Sequence, residues 1–167
     1  MMHKDSSATH YEQQPALASF PTLHPLVVHV PIMMLIIAAL VQLFSLFVFK
    51  RELTWTAWIM LIVGFIGAYA SSTWFHAHAG ALPPDTQHLL EEHERYADFT
   101  IWLSGAALVF QSFNLFYLKR KLWANLLTAL LIVASAVFVA LAGHHGAELV
   151  HKHGVGAKGY MLEQHHH

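Results

Sequence analysis

The residues of this chain best equipped for chemistry are its histidines. Of the 15, three close the chain at 165–167 and are read as a purification-tag remnant, and His3 and His10 lie in a polar opening stretch. The other ten are His24, His29, His76, His78, His88, His93, His144, His145, His151 and His153. They cluster at the ends of long apolar runs. Neutral imidazole is the commonest side-chain metal ligand. Imidazoles from several elements that meet at one depth can hold a haem iron or a bare metal ion. The stretch HPLVVHVP at residues 24–31 anchors the set, with two histidines and two prolines at the mouth of an apolar segment. Ionisable groups at membrane depth are costly and usually functional.

The elements that must position these side chains follow from composition. The chain is 56% hydrophobic and 11% charged, far more apolar than a soluble domain, where roughly a quarter of residues are charged. Several runs reach about 20 apolar residues, the length that crosses a bilayer as helix. The expected fold is all-α: an integral membrane, antiparallel four-helix bundle with a histidine-rich periplasmic end. Its helices are predicted at about 25–49, 54–75, 97–118 and 122–143. A polar tail (1–23) precedes the transmembrane domain (24–154), and a tail with the tag remnant (155–167) follows. Pro25 suits a first helical turn, and Pro31 is expected to bend the helix beside His29. Residues 85–98 (DTQHLLEEHERYAD) are expected to start the third helix outside the hydrocarbon, entering near Tyr96. Gly143, Gly146 and Gly154 suggest a broken helical extension after helix four. Gly64, Gly67, Ala68, Ser71 and Ser72 make a small-residue stripe that lets a second helix approach closely.

Tracing the chain across the membrane puts all ten histidines on one side. The opposite short loops hold Lys50, Arg51, Lys119, Arg120 and Lys121 and no histidine. Basic short loops mark the cytoplasm. The histidine end is therefore expected to be periplasmic, with both termini there, in a bacterial cytoplasmic (inner) membrane. Trp55, Trp58 and Trp123 suit an aromatic belt at the basic end, and Trp74 and Tyr96 one at the other. The chain has no cysteine. This excludes disulfides, thiolate-bound zinc, cysteine-ligated iron–sulfur clusters and covalent c-type haem. A net charge of −1 gives no reason to expect a nucleic-acid partner. No nucleophile elbow, phosphate loop or dinucleotide fingerprint is visible, so whether the chain is an enzyme stays open.

Depth sorts the candidates. His29, His76, His93 and His144 form an inner tier, and His24, His78, His88, His145, His151 and His153 an outer, wetter one. If helix four continues, His144, Glu148 and His151 share a face, and Glu94 and Asp98 are likewise four residues apart. Such carboxylates orient ligand imidazoles or bind metal themselves. Glu91, Glu92 and Glu94 read more simply as a solvated face.

HPLVVHVPI, His93-Glu94 before helix three, and AGHHGAELVHKHGVGA at the end of helix four together resemble DUF2231, a bacterial inner-membrane family of unknown function. Its members have four spanning helices, an HPxxVHFPI opening and a TGHxGGxLVYxHGVGV-like close. The resemblance covers roughly residues 23–157 and places His24, His29, His93, His144 and His153 on the family's motif histidines. Val30 stands where Phe is usual, Ala142 where Thr is, and His151 where Tyr is. Some members are joined to Rieske or cytochrome domains, which implies a redox setting.

The leading expectation is a membrane-bound b-type haem protein for electron transfer at the periplasmic side, with haem b held by histidines from different helices. The cofactor-binding candidates are His29, His93, His144 and His24. The alternative is a non-haem site for Zn, Cu or Fe in metal handling or metal-assisted chemistry. Its candidate ligands are His29, His93, His144, His24, His76, His153, Glu94 and Glu148. A structural or pH-sensing bundle is a third reading. Expected partners are the lipid bilayer, with quinol or a periplasmic redox protein exchanging electrons. A homo-oligomer is compatible with the sequence.

Overall fold

The computed structural model describes residues 24–73 and 83–155, with side chains from residue 28 onward in the first segment. Four helices form, α1 (His24–Ser45), α2 (Lys50–Thr73), α3 (Pro84–Phe116) and α4 (Leu122–His153). All four are long and apolar enough to cross a membrane. Each packs on its neighbours in a closed ring, α1 on α2, α2 on α3, α3 on α4 and α4 on α1. The described part of the chain is an antiparallel bundle in which α1 and α3 stand at opposite corners.

The bundle is apolar outside and partly polar inside. Met33, Leu40, Phe44, Ile66, Trp102, Val109, Leu126 and Leu130 are exposed. In water such a surface would aggregate; in a bilayer it is the lipid-facing wall. The apolar centre is small, built on Leu35, Ala38, Ala39, Leu61, Ala107, Ile132 and Val139. Close packing of α1 on α2 supplies much of the contact. A Cβ at Gly64 would stand 2.7 Å from Leu35 Cδ2, and one at Gly67 3.1 Å from Pro31 Cδ. The glycine positions of the stripe are thus used for helix contact, and Pro31 fills the groove that Gly67 opens.

Two turns differ from expectation. α1 stops at Ser45, not near 49, and α2 starts at Lys50, not near 54. The chain reverses in apolar residues 46–49, where Phe49 adopts a left-handed φ of 45°. Lys50, Arg51 and Glu52 are the first turn of α2 instead of a loop. At the other basic turn, Lys119 and Arg120 are both left-handed, with φ of 53° and 60°. Such backbone is uncommon in residues with a Cβ.

α3 and α4 have 33 and 32 residues, about 50 Å at 1.5 Å per residue. A hydrocarbon core spans about 30 Å, so both extend beyond it at the histidine end, packed on each other. α3 starts with Pro84 at its first turn, as a helix tolerates. α4 runs unbroken through Gly143 and Gly146 and ends at Gly154, whose φ of 67° is a left-handed cap. The break expected after residue 143 does not occur. Both glycines sit where a neighbour crowds the helix, Gly143 against Ile32 and Gly146 against His93.

The aromatic belts are only partly as expected. Trp123 is exposed. Trp55, Trp58 and Phe116 pack edge to face with one another, and Trp58 Nε1 donates to Ser112 Oγ at 2.9 Å. Trp58 therefore ties α2 to α3. Tyr96 packs on Phe138 and His145, and Trp74 lies outside the described residues.

Candidate histidine cofactor site

His93 is the best-positioned imidazole. It sits on α3 above the spanning part, half-buried against α4. Its Nδ1 donates to the backbone carbonyl of Ala142 at 2.8 Å. A carbonyl only accepts, so Nδ1 carries a proton, and in the neutral form of the ring the lone pair is then on Nε2. A hydrogen bond of this kind, to a backbone oxygen, is what orients metal-ligating histidines. The ring lies so near α4 that a Cβ at position 146 would stand 3.1 Å from His93 Cε1 and 3.3 Å from Nδ1. Gly146 thus makes room for the imidazole, and the next turn of α4 supplies its acceptor.

Register brings His29 to the same level. Gly143 faces Ile32 Cδ1 across the α1–α4 contact. One turn towards the histidine end stands His29 on α1 and Gly146 on α4. His29 and His93 therefore stand at the same level on two different helices. His29 is exposed where His93 is half-buried.

The pair at 144 and 145 reverses the order expected from depth. His144 is exposed on α4, and His145 is half-buried. The His145 ring stacks on Tyr96 with centroids 5.3 Å apart, and its buried Nδ1 has no hydrogen-bond partner. The residue that sequence depth ranked second turns inward because each step of a helix rotates the side chain by about 100°.

The other candidates divide. Thr86 Oγ1 and His153 Nδ1 share a hydrogen bond of 3.1 Å, joining the first turn of α3 to the last turn of α4. His153 thus fixes the extended hairpin at its tip, away from the level of His93. Glu148 accepts from Lys152 Nζ at 2.6 Å on the outer face of α4. Glu94 is exposed. His144, Glu148 and His151 do share one face of α4, an outward one. A shallow cleft of about 190 Å³ along α3 is lined by His88, Glu91, Glu92 and Arg95. The side chain of His24 and all of His76 and His78 lie outside the described residues. Among the described residues, no group of three His, Asp or Glu side chains stands close enough to hold a metal ion.

What sequence reasoning missed lies at the other end. Gln42 and Ser45 on α1, Thr54 on α2, Gln111 and Asn114 on α3, and Asn125 and Thr128 on α4 are all buried inside the basic half of the bundle. The signal was present as polar pairs three residues apart, 42/45, 111/114 and 125/128, in otherwise apolar runs.

No curated protein and no solved structure matches the chain. One family model does, covering residues 21–159, and with the histidine-topped bundle it decides the affiliation. The chain belongs to the family described as predicted membrane protein (DUF2231).

Proposed function

We propose that this protein is a b-type haem module of the bacterial cytoplasmic membrane, carrying electrons at a periplasmic histidine-rich end. The observation that carries the reading is His93, its Nδ1–H tied to Ala142 O and its ring seated over Gly146. A proton held on Nδ1 would leave Nε2 as the ligand atom of the neutral imidazole, the form in which histidine binds iron.

His29, at the same level on a different helix, would be the second imidazole to hold the group in this reading. A low-spin haem takes two protein nitrogens, whereas a bare Zn, Cu or Fe site takes three or four. Two imidazoles at one level, His29 and His93, suit the haem reading; the ligand set of the bare-metal alternative includes His24 and His76, whose side chains lie outside the described residues. The bound haem would supply one-electron transfer. The chain would hold the ring between α1 and α3 and fix the His93 tautomer through Ala142. Arg95 at the α3 surface is the basic group at this end best placed to meet a carboxylate, because Lys152 is engaged by Glu148.

The five basic residues at the opposite turns support cytoplasmic placement of that end. With described histidines at one end only, the module would exchange electrons with quinol or a periplasmic redox protein and would not carry them across the bilayer. The test is the absorption spectrum of protein purified from cells supplied with ample haem, oxidised and then reduced with dithionite. A Soret band that shifts, with sharp α and β bands on reduction, supports the reading. A colourless protein overturns it, and elemental analysis of the same sample then tests the bare-metal alternative.

A further inference from the structure

The basic half of the bundle has an interior unlike the rest. Two successive layers carry buried polar groups, from all four helices in the outer layer and from α1, α3 and α4 in the deeper one. The outer layer is Ser45, Thr54, Asn114 and Asn125, and the layer one turn deeper has Gln42, Gln111 and Thr128. Gln42, Gln111 and Asn114 are each 0% exposed. Uncharged amides in hydrocarbon surroundings are costly unless every donor and acceptor is met.

The inventory of partners is short. Asn114 Nδ2 donates to Asn125 Oδ1 at 2.7 Å. Gln111 Nε2 donates to Gln42 Oε1 at 3.4 Å, a long bond between opposite corners of the ring, so it crosses the bundle axis. The hydroxyl protons of the same layers are spent on their own helices: Ser45 on Gln42 O, Thr54 on Lys50 O, Thr128 on Ala124 O. They cannot serve the amide oxygens. Three buried atoms are left with no partner, Gln42 Nε2, Gln111 Oε1 and Asn114 Oδ1. Each such atom costs about 1–3 kcal/mol if nothing meets it.

We propose that these three atoms form a binding site on the bundle axis for internal water. The chemistry of the set selects the guest. One free amide NH2 and two free carbonyl oxygens are met by a molecule that accepts from the first and donates to both of the others, which is water. Exchanging O and N within both glutamines moves the orphan donor to Gln111 and the orphan acceptor to Gln42, so the pair still needs a guest that both donates and accepts. A cation would meet an amide N–H and no carboxylate in either layer, because every buried polar residue there is neutral. Buried waters make about three hydrogen bonds to groups that protein partners leave unmet. The guest completes the polar link between α1 and α3, the two helices that the ring packing keeps apart. The site is separate from the histidines and does not depend on the haem reading.

The test is a structure of the intact protein in detergent or nanodiscs, at a resolution that shows ordered water elsewhere in its interior, beside the same structure of Gln111→Leu. The expected result is a density peak within hydrogen-bond reach of Gln42, Gln111 and Asn114, lost in the variant. Density with the short, oxygen-only coordination of a metal cation would overturn the assignment to water. No peak, with the amides turned to pair directly with one another, would overturn the site itself.

Discussion

Substituting Gly64 with alanine tests the packing that holds α1 on α2. The added Cβ would stand 2.7 Å from Leu35 Cδ2, 2.8 Å from Cγ and 3.3 Å from the Leu35 backbone N. Ordinary carbon contacts are about 3.5–4.0 Å, so the nearest one is about 1 Å too short. Leu35 is fully buried, with nowhere for its side chain to swing, and its backbone is part of the obstacle. The two helices must separate or Leu35 must leave its rotamer. Overpacking of this kind costs about 1–3 kcal/mol. Alanine returns up to about 1 kcal/mol of helix propensity, so a net loss of about 1 kcal/mol is expected. Gly64→Val, with two further methyls at the same contact, should lose more. The assay is reversible unfolding in mixed micelles by increasing sodium dodecyl sulfate, followed by circular dichroism. Val63→Ala, on the exposed side of the same helix, is the control. If Gly64→Ala is as stable as the parent protein, the close α1–α2 approach is wrong.

Other substitutions bear on the site and the interior. Gly146→Val should push the His93 ring off Ala142 O; in solution NMR with ¹⁵N-labelled histidine, the fixed Nδ1–H tautomer of His93 should give way to a mixture, and an unchanged signal would count against the contact. Asn114→Leu alone should cost about 1–3 kcal/mol by stranding Asn125, while Asn114→Leu/Asn125→Leu should regain part of that loss; additive losses in the same unfolding assay would mean the two amides do not interact. Thr86→Val should loosen the tip of the α3–α4 hairpin by removing its bond to His153, read as faster hydrogen exchange over residues 84–90 with little change in global stability. Equal exchange rates there would refute the cap.

The four spans were legible because apolar length is a strong signal, and the side-by-side order follows from short connections. The turns were less so. Lys50-Arg51 reads as a loop because charge leaves the hydrocarbon, yet charge at an interface is equally at home in the first turn of a helix. The reversal fell instead on 46–49, whose apolar side chains hide a left-handed Phe49. Glycine misled in α4 for a related reason. Gly143, Gly146 and Gly154 look alike in sequence, but the first two are contact positions and only the third ends the helix. Single-residue facing was also out of reach. Depth in sequence ranked His144 above its neighbour His145, and only the packing on Tyr96 shows that His145 is the one that turns inward. His93 was legible as a candidate, whereas its acceptor, Ala142 O, lies on a helix far along the chain and carries no sequence signature.

In the haem proposal, His93 Nε2 would hold the iron together with a second imidazole. The most direct measurement is the dithionite-reduced absorption spectrum of His93→Ala, recorded against the parent protein and His88→Ala, each reconstituted with excess haemin. Sharp α and β bands are expected for the parent and for His88→Ala. Loss of the low-spin signature is expected in His93→Ala, restored in part by added imidazole. Low-spin bands of equal intensity in all three proteins would contradict ligation by His93.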